Sequence, residues 1–171
     1  PSYMSVAYGA GGSTVGYSAA LAKKVEDNGM PALAHLTCVK ADEAKLAEVL
    51  GQLQGFGVKN ILALRGDIPA DMQGEEIGSF AHASELMRFV KQQGDFCVGG
   101  AAYPEGHPES GSLEKDIENT KYKVDAGVDF LVTQMFFDNT ILYNYMFRLL
   151  RAGINVPVVP GIMPVTNAKQ I

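Results

Sequence analysis

The sequence predicts an α/β fold of repeated β/α units, specifically a (β/α)₈ TIM barrel of which about six units lie in this chain. Short apolar, partly β-branched runs recur along the chain at near-regular intervals, and helical periodicity fills the spaces between them. Polar and aromatic residues then collect at the C-terminal ends of the runs, the edge where parallel α/β folds bind ligands. No linker divides the chain, so residues 1–171 read as a single, partial barrel domain.

The expected strands are Met4-Ser5-Val6-Ala7-Tyr8, Ala32-Leu33-Ala34-His35-Leu36, Ile61-Leu62-Ala63-Leu64, Cys97-Val98-Gly99-Gly100-Ala101-Ala102, Phe130-Leu131-Val132-Thr133-Gln134 and Val156-Pro157-Val158-Val159. Most do not alternate polar with apolar residues, as expected of parallel strands covered on both faces. Between the second and third strands, Leu46, Val49, Leu50, Leu53 and Phe56 fall on one helical face; Leu86, Phe89 and Val90 do so before the fourth, and Leu142, Tyr145, Met146 and Leu149 after the fifth. Gly29, Gly57, Gly94, Gly127 and Gly153 each stand just past a helical stretch, where a left-handed residue closes a helix. The resulting βα alternation requires right-handed crossovers. A doubly wound sheet satisfies it too, but the regularity of the units favours the barrel.

Composition narrows the function. At 171 residues and 47% hydrophobic content the chain can bury one sizeable core, and a net charge of −5 with pI near 5.1 argues against a nucleic-acid binder. Cys38 and Cys97 lie outside any metal-ligand or CxxC spacing, so buried thiols are expected rather than a metal site or disulfide framework. No apolar stretch is long enough to span a bilayer, and Pro1-Ser2-Tyr3 lacks the features of a signal peptide, so a cytoplasmic protein is expected. A start without Met and an ending in Asn167-Ala168-Lys169-Gln170-Ile171, which reads as an opening helical turn, make both ends look cut.

The candidate chemistry lies at the strand ends. Arg65-Gly66-Asp67, directly after Ile61-Leu62-Ala63-Leu64, places a cation, a permissive backbone and an anion in one turn. Beside it stand the Gly9-Ala10-Gly11-Gly12-Ser13-Thr14 loop, His35 with Thr37, Tyr103 with Glu105 and His107, and Gln134. Each has a plainer reading. The glycine loop lacks the P-loop lysine and the GxGxxG spacing and serves equally as a flexible turn. His35 fits a satisfied core histidine, Arg65 and Asp67 can pair with each other, and His107 can be surface. Asp116, Asn119 and Lys123 share a helix face that also reads as a solvated stripe.

Several ordered motifs bear on these alternatives: Ala34-His35-Leu36-Thr37-Cys38, Ile61 to Asp67, Ala101-Ala102-Tyr103-Pro104-Glu105-Gly106-His107-Pro108-Glu109, Lys123-Val124-Asp125-Ala126-Gly127, Thr133-Gln134-Met135-Phe136-Phe137-Asp138 and Pro160-Gly161-Ile162-Met163-Pro164-Val165. In order and spacing they resemble the methylenetetrahydrofolate reductase family, as does the opening Ser5 to Ser13. The resemblance implies an FAD-containing barrel that takes a hydride from NAD(P)H and passes it to 5,10-methylenetetrahydrofolate, forming 5-methyltetrahydrofolate for methionine synthesis. It implies FAD contacts from Ala7, Tyr8, His35, Arg65, Gly66, Asp67, Phe80, Ala81, Ala101, Tyr103, His107, Asp116, Asn119 and Lys123. Asp67 and Gln134 are the catalytic candidates, and Gln134 is also expected to touch the folate or nicotinamide.

Chemistry suits these assignments. Arg65 and Lys123 are natural counter-charges to a diphosphate, and Asp116 and Asn119 can hydrogen-bond ribityl or ribose hydroxyls. Asp67, if near the flavin, disfavours a negative charge on the reduced ring and attracts a cationic folate iminium. Tyr103 can pack beside the isoalloxazine, and the Gln134 amide can orient the pterin. The sequence departs from the family where Ala7 replaces Thr and Phe80 replaces Tyr. The Glu that serves the family as general acid has no counterpart in these 171 residues, so this stretch alone is expected to be inactive. A homo-oligomer or a complex with an electron-transfer partner is expected. The competing classes are a corrinoid-dependent methyltransferase barrel, which needs no flavin, and a non-catalytic flavin- or folate-binding subunit.

Overall fold

A computed structural model of the chain describes residues 1–7, 15–39, 41–67 and 78–167. Strands β1 (Met4–Val6), β2 (Ala32–Thr37), β3 (Asn60–Leu64), β4 (Cys97–Ala102), β5 (Phe130–Thr133) and β6 (Val158–Val159) alternate with helices α1 (Val15–Asp27), α2 (Glu43–Gly55), α3 (Ala83–Gln93), α4 (Leu113–Asp125) and α5 (Asn139–Arg151). A short 3₁₀ turn, Pro108–Ser110, lies between β4 and α4. Among the described residues the sheet has six strands in the order β1-β2-β3-β4-β5-β6, every pairing parallel, and it curls as a partial barrel. Sequential order with parallel pairing is the barrel topology; a doubly wound sheet reverses its order at a switch point.

The sheet's helix-facing side forms the main core. Ala34, Ile61, Val98, Ala102 and Leu131 pack with Leu46, Val49 and Leu50 of α2, Leu86, Met87 and Val90 of α3, Ile117 of α4 and Tyr145 and Leu149 of α5 in one buried cluster. On β3 and β4, Leu62 and Gly99 alternate with these residues and so face the barrel interior. There the Phe130 ring lies over β4: a Cβ on its strand partner Gly99 would lie 2.5 Å from Phe130 Cζ, so a larger residue at that point would have to displace the ring. This packing spaces β3, β4 and β5, the strands that lead toward the site.

The helices start where short polar side chains satisfy free backbone N–H groups. Asp42 accepts from Lys45 N–H at 2.7 Å, Ser112 from Lys115 N–H at 3.1 Å and Asp138 from Thr140 N–H at 2.7 Å. Gly29, Gly57, Gly127 and Gly153 take the left-handed conformation expected after a helix. Gly94 does not; its φ of 165° is extended, and the chain bends at Gly94 and Asp95 before entering β4. Three strands are also shorter than expected, β5 ending at Thr133, one residue before Gln134. β1 stops at Val6, with Tyr8 and the glycine loop outside the described residues, and β6 starts at Val158 because Pro157 has no N–H for the ladder. Pro157 still contributes its carbonyl, which accepts from Leu131 N–H at 2.8 Å.

Candidate functional site

The turn after β3 is held by its backbone. Past the ends of β2 and β3, Cys38 N–H donates to the Leu64 carbonyl at 3.2 Å and Val39 N–H to that of Arg65 at 3.0 Å. The Cys38 thiol also points at the Arg65 carbonyl, at 3.5 Å. Burial pushes this thiol up to about 11, so it is a structural group and not a nucleophile. Gly66 follows with φ of +89°, and a Cβ there would lie 3.1 Å from that of Thr37. Glycine both permits the left-handed turn and lets it rest against the end of β2.

The anchored turn sends the Arg65 side chain toward the segment after β4. Its Nη1 and Nη2 donate to Glu109 Oε2 and Oε1 at 2.6 and 2.7 Å, so the partner of Arg65 is Glu109 rather than Asp67. Hydrogen bonds from Arg65 hold the Glu109 carboxyl below its usual range. The pair therefore forms above the ordinary carboxylate pKa and is lost only as pH falls through the lowered value. Glu109 is also set from its own backbone, whose N–H donates to His107 Nδ1 at 3.1 Å. The His107 ring meets Tyr103 edge-on, with centroids 4.6 Å apart.

Helix α4 supplies the opposite wall. Asp116, Asn119 and Lys123 do share one face, but it is turned inward: Asp116 is 3% exposed, and Asn119 and Lys123 are half-buried. Ser110 Oγ donates to Asp116 Oδ1 at 3.0 Å and accepts from Asn119 Nδ2 at 3.3 Å. The other oxygen, Asp116 Oδ2, is buried and has no hydrogen-bond partner among the described residues. Lys123 Nζ donates to the Ala101 carbonyl at 2.7 Å and lies 5.6 Å above the Tyr103 ring. Burial lowers the Lys123 pKa, and the Asp116 carboxylate opposes that shift. The Tyr103 phenol is pushed up, chiefly by its own burial and then by Asp116.

These groups line one cavity of about 900 Å³ at the C-terminal ends of β3 and β4. It brings together Arg65, Gly66, Asp67, Ala101, Tyr103, His107, Asp116, Asn119 and Lys123 from the sequence-derived set. His35 stands apart on β2, with its Nε2 2.5 Å from Ser5 Oγ and its pKa lowered by burial. Phe80 packs against Phe89 at 5.3 Å, and Ala81 N–H donates to the Glu85 carboxylate at 2.8 Å. Ala7 lies beyond β1, Gln134 is exposed past β5, and Tyr8 is outside the described residues. Sequence reasoning gave no role to Glu109, Ser110, Arg88 or Tyr122, which also line the cavity. For Tyr122 a signal existed, three residues after Asn119 on the same helix face. Among the described residues no cluster of His, Cys, Asp and Glu can hold a metal ion, and no helix is long and apolar enough to cross a membrane.

The fold is shared with solved structures of low sequence identity. A 2,3-dimethylmalate lyase superposes with a TM-score of 0.61 at 13% identity, over 91% of this chain and 55% of that one. A phosphoenolpyruvate phosphomutase from Streptomyces platensis subsp. rosaceus gives 0.60 at 11% identity, over 87% and 61%. Relatives matched by sequence are much nearer. The 5,10-methylenetetrahydrofolate reductase of Escherichia coli (strain K12) is 39% identical over 171 residues, covering 99% of this chain and 56% of that protein. That of Pectobacterium carotovorum subsp. carotovorum is 37% identical over 172 residues, covering 100% and 56%. Methylenetetrahydrofolate reductase 2 of Schizosaccharomyces pombe is 39% identical over 185 residues, covering 98% and 28%. The chain thus spans about half the length of the bacterial relatives. Because the family model described as Methylenetetrahydrofolate reductase matches residues 1–171, the length that carries the cavity and both its walls, the chain belongs to the methylenetetrahydrofolate reductase family.

Proposed function

We propose that the protein containing this chain binds FAD in the β3–β4 cavity and uses NAD(P)H to reduce 5,10-methylenetetrahydrofolate to 5-methyltetrahydrofolate. Besides family membership, the observation that carries this reading is the buried carboxylate oxygen Asp116 Oδ2, which has no partner among the described residues and belongs to a residue lining the cavity. A buried unpaired acceptor is costly, and a ligand hydroxyl would relieve that cost. The remaining donor set suits the same ligand: Arg65 and Lys123 for a diphosphate, Asn119 for a ribose or ribityl hydroxyl, and Tyr103 as an aromatic wall. When bound, the flavin supplies the hydride-transfer chemistry.

The chain's own residues bind and bias. Asp67 is exposed and lines the same cavity, so its carboxylate disfavours negative charge and favours positive charge on groups bound beside it. Gln134, on the next strand end, offers an amide that can both donate to and accept from a pterin. The reading includes a cytoplasmic location and assembly as a homo-oligomer or with an electron-transfer partner.

Colour tests the flavin directly. The full-length protein is expected to purify yellow, with absorbance near about 450 nm; a colourless protein that takes up no added FAD defeats the reading and leaves a flavin-free methyltransferase barrel in its place. Asp67→Asn is expected to retain FAD, shift the flavin potential, and slow folate reduction more than NAD(P)H oxidation. Equal rate losses in the two half-reactions, measured by stopped flow, would remove Asp67 from that role.

A further inference from the structure

The ion pair between Arg65 and Glu109 links the turn after β3 to the 3₁₀ turn after β4, and both residues line the cavity. Each partner is fixed from its own side: Arg65 by Val39 N–H on its carbonyl, Glu109 by Pro108 before it and by its N–H on His107. Their exposures differ, 25% for the Arg65 side chain and 61% for that of Glu109, so the carboxylate reaches over the guanidinium from the solvent side. A pair this exposed adds little to folding stability. Its bidentate geometry therefore serves the orientation of Arg65 more than the strength of the fold.

The contact uses one N–H on each terminal nitrogen of Arg65. A guanidinium has five, which leaves Nε–H and one further N–H on each terminal nitrogen without a partner among the described residues. Those donors border the same cavity as Lys123, which lies on the opposite wall. We propose that Glu109 is a positioning residue that holds the Arg65 guanidinium so that its remaining N–H groups receive phosphoryl oxygens of a phosphate-bearing ligand. Where that ligand is FAD, the inference rests on the function proposed above. Inorganic pyrophosphate tests the clasp without the flavin.

The experiment is a titration of the full-length protein and its Glu109→Gln, Glu109→Asp and Arg65→Ala variants with inorganic pyrophosphate and, separately, with FAD. Glu109→Gln and Arg65→Ala are each expected to weaken pyrophosphate binding about tenfold, the scale of one lost charge-assisted hydrogen bond. The double variant should bind no worse than Arg65→Ala alone, because Glu109 acts only through Arg65. Glu109→Asp should recover part of the loss, and the melting temperature should stay within about 2 °C throughout, as befits an exposed pair.

Pyrophosphate binding by Glu109→Gln equal to or tighter than wild type would overturn the proposal, because Glu109 would then be idle or competing for Arg65. Additive losses in the double variant would overturn it as well. If wild type binds pyrophosphate with the expected pattern but takes up no FAD, the flavin reading falls and the clasp stands. If FAD binds and Glu109→Gln changes neither affinity, the clasp falls and the flavin reading stands. Absence of both ligands from wild type defeats both.

Discussion

Lys123 shows at the scale of one residue how a site opposes stability. Its ammonium is half-buried, bonded at 2.7 Å to the Ala101 carbonyl, and burial lowers its pKa. A base with a lowered folded pKa destabilises the fold wherever it is charged, and that penalty lifts as pH rises from the lowered value to the ordinary one. The ammonium is therefore kept at the expense of the empty protein. Lys123→Met, which keeps the apolar stem, should leave the melting temperature unchanged or raise it while weakening FAD binding about tenfold, as expected for one lost charge-assisted hydrogen bond. A melting temperature that falls along with the affinity would make Lys123 a structural residue. The sequence already showed Lys123, Asn119 and Asp116 on one helical face, but an i, i+3, i+7 spacing does not say whether that face meets water. Only the seating of α4 against β4 and the Pro108–Ser110 turn decided that Asp116 is buried. The same limit concealed Glu109, because its partner Arg65 lies 44 positions earlier and no local pattern links them.

At the scale of an element, local chemistry was legible and its long-range consequences were not. The helical positions of Leu46, Val49, Leu50 and Leu53 were readable because a 3.6-residue period places them on one face, and all four are buried. The start of α2 rests on Asp42, whose carboxylate accepts from Lys45 N–H at 2.7 Å. Asp42→Ala should cost about 1 kcal/mol in urea unfolding, the usual value of an N-cap, and a change within error would mean that water replaces the cap without loss. Gly94 marks the limit of such reading. A glycine after a helix is normally left-handed, but this one is extended, and nothing local distinguishes it from Gly127.

At the scale of the whole molecule, the curled sheet leaves apolar faces on its two end helices. Tyr143, Met146, Phe147 and Leu150 of α5 are exposed at i, i+3, i+4 and i+7, on the flank away from Arg148, which pairs with Glu114 of α4. Tyr17 and Leu21 of α1 are likewise exposed. Contiguous apolar stripes of this kind associate in water. The 171-residue polypeptide is therefore expected to self-associate with rising concentration, and Phe147→Glu with Leu150→Lys should reduce that association in sedimentation velocity without loss of helicity. Unchanged sedimentation would show that the α5 stripe is not the contact.

The sequence by itself determined the element order, the parallel barrel class and the residues that gather at the strand ends, because these follow from local periodicity, turn chemistry and the right-handed crossover. Its motifs also carried the family resemblance that the matched relatives support. Tertiary structure alone decided that the α4 face turns inward, that Arg65 is held by Glu109 and not by Asp67, and that Asp116 keeps a buried oxygen without a partner among the described residues. Those outcomes depend on where distant segments meet, and burial and pairing between segments far apart in the chain leave no periodic trace in it.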